Sequence, residues 1–232
     1  MKITYIHHSS FCIETACANY LFDYYKGDIP KLNPEKPLYV FASHKHGDHF
    51  SPVIFHLKNS YPNIHYILSD DIKIAPEQNI TSIGPNSRIQ LYGMEIETLK
   101  STDEGVAFLI SKNGFTIYFA GDLNWWRWNG ETDSYNQNMQ SMFLKEMEKI
   151  RGRTFDFAFL PLDPRQEDNY LLGMDAFCQY ADAAVIFPMH FWGDYSIIKK
   201  AKNDIKTLSY RNKIISLSHE GENFQFEKDV KL

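Results

Sequence analysis

One stretch constrains this chain more than any other: the apolar run Leu38-Tyr39-Val40-Phe41-Ala42, which follows Pro37 and passes directly into Ser43-His44-Lys45-His46-Gly47-Asp48-His49. The apolar part reads as a buried strand, bounded on one side by proline. The polar part places three histidines and an aspartate within six positions, where that strand ends. A loop at a strand end is where side chains from a rigid scaffold can converge on a ligand. Neutral imidazole and carboxylate are the donor types that hold zinc, iron or manganese while leaving positions open for water. His44 and His46 alternate along an extended segment and can point the same way, while Gly47 turns Asp48 and His49 round behind them. That arrangement suits two adjacent metal positions.

Other short apolar runs, bounded by Gly, Pro, Asn or Asp, read as strands: Ile3–His7, Cys12–Glu14, Tyr20–Asp23, His65–Ser69, Met94–Leu99, Val106–Ile110 and Phe115–Ala120. Lys112-Asn113-Gly114 carries an Asn-Gly hairpin signal between the last two. Met139, Phe143, Met147 and Ile150 recur at helical spacing with Asn136 as the expected cap, and Tyr170, Met174, Phe177, Cys178 and Ala181 form a second amphipathic stripe. Phe155–Leu160, Ala184–Phe187 and Lys213–Leu217 are read as later strands alternating with helices. Strands first, then strands interleaved with helices, imply a layered α/β sandwich.

Length and charge narrow the function classes. The chain has 232 residues, and we expect one domain spanning 1–232. Its net charge of −5 and lack of a Lys/Arg run argue against a nucleic-acid partner. Cys12, Cys17 and Cys178 form no C-x-x-C pair, there is no apolar signal core at Met1–Tyr5, and no window reaches membrane-spanning length. The expectation is a cytoplasmic protein with a small-molecule substrate and no membrane partner.

The histidine–aspartate run resembles the H-x-H-x-D-H signature of the metallo-β-lactamase-fold hydrolases. Gly121-Asp122, after the strand Phe115–Ala120, resembles that family's later Gly-Asp element, and Phe187-Pro188-Met189-His190 resembles the strand carrying its last metal ligand. Ile6-His7-His8-Ser9-Ser10-Phe11, Leu21-Phe22-Asp23 and Leu162-Asp163-Pro164-Arg165 resemble the ascorbate-6-phosphate lactonase-like branch. The resemblance implies a four-layer αββα sandwich, with a metal site at one edge binding one or two divalent ions, zinc foremost and manganese or iron as alternatives. It implies that His44, His46 and Asp122 serve a first metal position, and that Asp48, His49, Asp122 and His190 serve a second. Asp48 is the candidate to orient the attacking water or shuttle its proton, and His8 lies near the site.

The chain departs from that pattern in one place. Most members supply a third histidine to the first metal from the loop before the strand here read as Val106–Ile110. This chain has no histidine between His65 and His190, and the loop reads Lys100-Ser101-Thr102-Asp103-Glu104-Gly105. Asp103 is the candidate replacement, and a carboxylate there leans the site toward manganese or iron. Trp125, Trp126, Arg127, Arg165 and Trp192 are candidates for the substrate-binding wall, with Lys26 a further cation for an anionic substrate. The expected reaction is metal-assisted hydrolysis of a small, possibly anionic ester, lactone or phosphorylated metabolite. A phosphodiesterase or RNA nuclease on the same fold, and a metal-binding scaffold without turnover, are the alternatives.

Overall fold

The computed structural model describes residues 1–112 and 114–227. Six strands come first: β1 (Lys2–His7), β2 (Ser10–Glu14), β3 (Asn19–Phe22), β4 (Leu38–Ala42), β5 (Ile64–Ser69) and β6 (Ile80–Ile83). Six more follow: β7 (Arg88–Leu91), β8 (Met94–Lys100), β9 (Val106–Lys112), β10 (Phe115–Phe119), β11 (Thr154–Pro161) and β12 (Asp182–Met189). A short β13 (Asn223–Gln225) closes the chain's strand set among the described residues, and three α-helices intervene: α1 (Asp133–Glu148), α2 (Leu172–Tyr180) and α3 (Ser196–Asn203).

They form two sheets, ordered β13-β1-β2-β3-β4-β5-β6 and β12-β11-β10-β9-β8-β7. Each sheet begins as an antiparallel meander and ends in parallel pairs, β3 to β6 in one and β10 to β12 in the other. Parallel neighbours need a crossover connection. Helices α1 and α2 supply those crossovers in the six-stranded sheet and lie against its outer face, where Phe177 meets Tyr118 at 4.9 Å between ring centroids. The outer face of the seven-stranded sheet is covered by the 3-10 helix Pro52–Asn59, whose buried Ile54 joins Val40, Tyr66 and Leu68. Strand β4 is therefore buried on both faces, which explains its unbroken apolar run.

Between the sheets, phenylalanines interlock. Phe22 stacks on Phe41 within its own sheet and on Phe119 across the interface, at 4.9 and 4.8 Å. Phe11 meets Phe159 across the same gap at 4.8 Å. The αββα sandwich is thus present, with its carboxyl-end loops of β3, β4, β10, β11 and β12 on one edge.

Two local expectations need correction. Thr132, not Asn136, caps α1: its hydroxyl accepts from Tyr135 N at 3.2 Å. Asn136 is buried inside the first turn, where its amide brackets Trp128 by accepting from Trp128 N and donating to Trp128 O. Residues 213–217 do not form a strand. Among the described residues their only ladder contact is a parallel bridge from Ile214 to Ile186, because α3 and the following 3-10 turns bring the segment past β12 at a single point. The hairpin signal falls partly on Asn113, which lies outside the described residues, although Lys112 and Phe115 pair as the flanks of a β9–β10 hairpin. Strands β6, β7 and β13 were not expected; they are short, and only one of their eleven residues, Ile83, is buried. Among the described residues no helix is long and apolar enough to cross a membrane.

Candidate metal centre

The site begins beneath the histidine loop, at Asp23. This buried carboxylate accepts from Ser43 N at 2.7 Å, from Ser43 Oγ at 2.6 Å and from His49 Nδ1 at 2.7 Å. Because the Ser43 hydroxyl donates to Asp23, its oxygen accepts from His44 Nδ1, 2.9 Å away. Both rings thereby have Nδ1 committed to a hydrogen bond and Nε2 turned toward the same space. Asp163, after β11, does the same for His190, accepting from its Nδ1 at 3.0 Å. His8, Asp23, His190 and Trp192 all sit at positive φ, from +42° to +64°. Such backbone costs of the order of 1–3 kcal/mol per residue and persists where the surroundings over-determine it.

Two glycines let the neighbouring loops close on this platform. Gly105 has φ +68°, and a Cβ there would lie 2.0 Å from Ser43 O; at Gly121, φ +51°, a Cβ would lie 2.6 Å from Ser43 Cβ. Gly105→Ala is expected to destabilise the protein by at least about 2 kcal/mol, from left-handed strain plus a clash with backbone. Urea unfolding of the variant measures it, and a loss below half that size would contradict the packing described here.

Asp122 stands at the centre. Its Oδ1 lies 3.2 Å from His49 Nε2 and 3.4 Å from His190 Nε2, and its Oδ2 lies 3.7 Å from His44 Nε2. Ligands about 2.0–2.2 Å from a shared ion sit roughly 3–4 Å apart, so these separations match donors around metal. His46 and Asp103 form an outer rim: Asp103 Oδ2 is 3.2 Å from His46 Nδ1, and both side chains are about two-fifths exposed. Glu104 also approaches His46, at 3.5 Å, while pairing with Lys45. Asp48 faces His8 across 3.6 Å on the inner side.

Four buried atoms, His8 Nε2, His44 Nε2, His49 Nε2 and Asp122 Oδ1, have no hydrogen-bond partner among the described residues. Buried polar atoms are nearly always satisfied, so four orphans aimed at one another call for a shared partner. The nitrogen and oxygen donor set fits a divalent metal, and one or two ions can be held.

The charges agree. Burial alone would raise the Asp122 carboxyl, but His190 and His49 hold it well below the usual range. Burial opposes a charge on His190, yet Asp122 and Asp163 outweigh it and raise its pKa to about 10. His49 is raised against burial by Asp122 and Asp23, whereas burial lowers His44 and pulls His8 down to about 4. The facing His8 and the charge of His49 hold the Asp48 carboxyl below its usual range, against its partial burial.

A cavity of about 280 Å³ opens over the cluster, lined by His46, Asp48, Asp103, Asp122 and His190 with Trp126, Trp128, Tyr135, Met139, Arg165 and Trp192. Trp126 is fixed by donating from Nε1 to Asp122 O, and it stacks on Trp128 at 5.6 Å. Arg165 donates to Asp163 through Nε and Nη2 and lies 4.6 Å over Trp192. Three expectations for the wall are corrected. Trp125 turns away to pack against Phe143, Arg127 is not among the lining residues, and Lys26 lines a separate cavity with His7, His8 and Tyr25. Consecutive residues of an irregular segment face different ways, so Trp126 and Trp128 reach the cavity while the residues beside them do not.

Asp23 and Asp163 were missed as functional residues, as were Ser43, Trp128, Tyr135 and Met139. The signal for the two aspartates was present: each follows an apolar strand at or near its end, as Asp122 does.

Comparison with known proteins agrees with this geometry. The chain belongs to the beta-lactamase superfamily domain family, whose model matches residues 2–127, just over half of the chain. It is 24% identical over 225 residues to a UPF0173 metal-dependent hydrolase of Nitratidesulfovibrio vulgaris, covering 86% of this chain and 83% of that protein. Its fold is similar to that of Igni18, a metallo hydrolase from Ignicoccus hospitalis, with TM-score 0.64 and 17% identity over 97% of this chain and 99% of the other. It is also similar to the metallo-beta-lactamase fold protein YhfI from Bacillus subtilis, with TM-score 0.65 and 14% identity over 96% and 98% of the two chains.

Proposed function

We propose that this chain is a metal-dependent hydrolase, one domain over 1–232, acting on a small ester, lactone or phosphorylated metabolite. The observation that carries this reading is the set of unpartnered histidine and aspartate atoms converging below an open cavity. His44, His46 and Asp103 would hold one ion, Asp48, His49 and His190 a second, and Asp122 would serve both. A bound divalent ion supplies Lewis acidity, polarising the carbonyl or phosphoryl under attack and bringing a water's pKa toward neutrality.

The chain's own residues do the rest. Asp48, half-buried on the cavity wall, would accept a hydrogen bond from the attacking water and so orient it. Trp126, Trp128 and Trp192 wall the cavity and offer ring faces to a bound substrate. Arg165 is held rigid by Asp163 and offers its remaining guanidinium hydrogens to an anionic substrate group. Its charge is largely balanced by that aspartate, which favours a singly charged substrate over a dianion.

The test is turnover of a lactone, phosphodiester and thioester panel by chelated protein reloaded with defined metals. Hydrolysis of a lactone or ester supports the proposal. Turnover confined to the phosphodiester would move the function to the nuclease class, and no turnover with full metal occupancy would make the chain a metal-binding scaffold.

A further inference from the structure

The family resemblance accounts for Asp48, His49, Asp122 and His190 at the inner metal position, and for nothing else there. We propose that His8 is an additional imidazole ligand of that position, an inference that rests on reading the cluster as a metal centre. His8 comes from the turn between β1 and β2, a different part of the chain from every other donor. It is 2% exposed, held at φ +51°, and its carbonyl accepts from His190 N.

Its Nε2 points into the donor cluster rather than out of it. One donor atom each from His8, Asp48, His49 and His190 all lie within 4.8 Å of one another. The His8 ring centroid is 4.3 Å from that of His190 and 5.6 Å from that of His49. A hydrogen bond to Asp48 would satisfy Nε2, but the nearest carboxylate oxygen is 3.6 Å away, beyond hydrogen-bond reach. That separation instead matches two ligands of one ion. A histidine kept only for packing would place its buried nitrogen against a partner.

The two positions are then unequal. The inner one has three imidazoles, Asp48 and the shared Asp122, mostly buried. The outer one has His44, the half-exposed His46 and the exposed Asp103. The inner position therefore fills first, and His8 makes it the tight site.

The experiment uses the full chain with histidine labelled by spin-active nitrogen and one equivalent of spin-active cadmium. We expect one-bond splitting of three imidazole nitrogens, from His8, His49 and His190, assigned with His8→Gln, in which two remain split. Glutamine keeps a hydrogen-bond donor toward Asp48, so a role in merely orienting Asp48 would survive the substitution. An unsplit His8 signal beside split His49 and His190 signals overturns the proposal, in wild-type protein and without dependence on any variant folding. If no imidazole splits, the metal-centre reading itself fails, a distinguishable outcome that also removes this proposal.

Discussion

Asp122→Ala is expected to remove metal from both positions, lowering occupancy and activity by more than about 100-fold. Disturbing a group that only orients a ligand costs 10–100-fold in metal affinity, and removing a shared ligand costs more. Asp122 is nearly fully buried and its two oxygens face His44, His49 and His190. Asp103, on the exposed rim, lies 3.2 Å from His46 and shares only the outer donor group with His44. Asp103→Ala should accordingly lose no more than one ion, with an effect of about tenfold or less. Metal analysis of both purified variants decides between them. Equal losses would mean that Asp103 carries as much of the centre as Asp122 does, and the division into inner and outer positions would fall.

Metal affinity should also fall steeply as pH falls. In the metal-free protein Asp122 and Asp163 raise the His190 pKa to about 10, so at neutral pH the ring carries a proton on the nitrogen a metal needs. Binding must expel that proton, and each proton expelled makes apparent affinity drop about tenfold per pH unit. The sign follows from the raised value: competition operates throughout the range below about 10 and disappears above it. Lowering pH from 8 to 6 should therefore weaken binding by about 100-fold or more, with His49 adding to the slope in the same direction. Calorimetry in buffers of different ionisation enthalpy counts the protons. Affinity independent of pH between 6 and 8 would show that the ion displaces no proton from His190.

Much of this centre is legible in the residue order because its strongest signals are local. Leu38–Ala42 followed by His44, His46, Asp48 and His49 places four donors on one turn, and Gly121-Asp122 and His190 each end an apolar strand. What is less legible depends on distant pairings. Asp23 becomes a support for His49 only because β3 lies parallel to β4, and Asp163 reaches His190 only because β11 lies parallel to β12. The cap of α1 is displaced because Asn136 finds a better partner in Trp128, a contact that periodicity does not encode. The thirteen strands among the described residues divide the same way. Runs such as β4 and β10 are read directly from their apolar residues, while β7, with alternating exposure and polar residues, is held by its register with β8.

If hydrolysis depends on a metal bound by this cluster, titrating metal back into chelated protein restores it. Turnover of an ester or lactone should be absent from the chelated chain, rise with added ion, and saturate at one or two equivalents in step with occupancy. Turnover that survives full chelation would contradict the account.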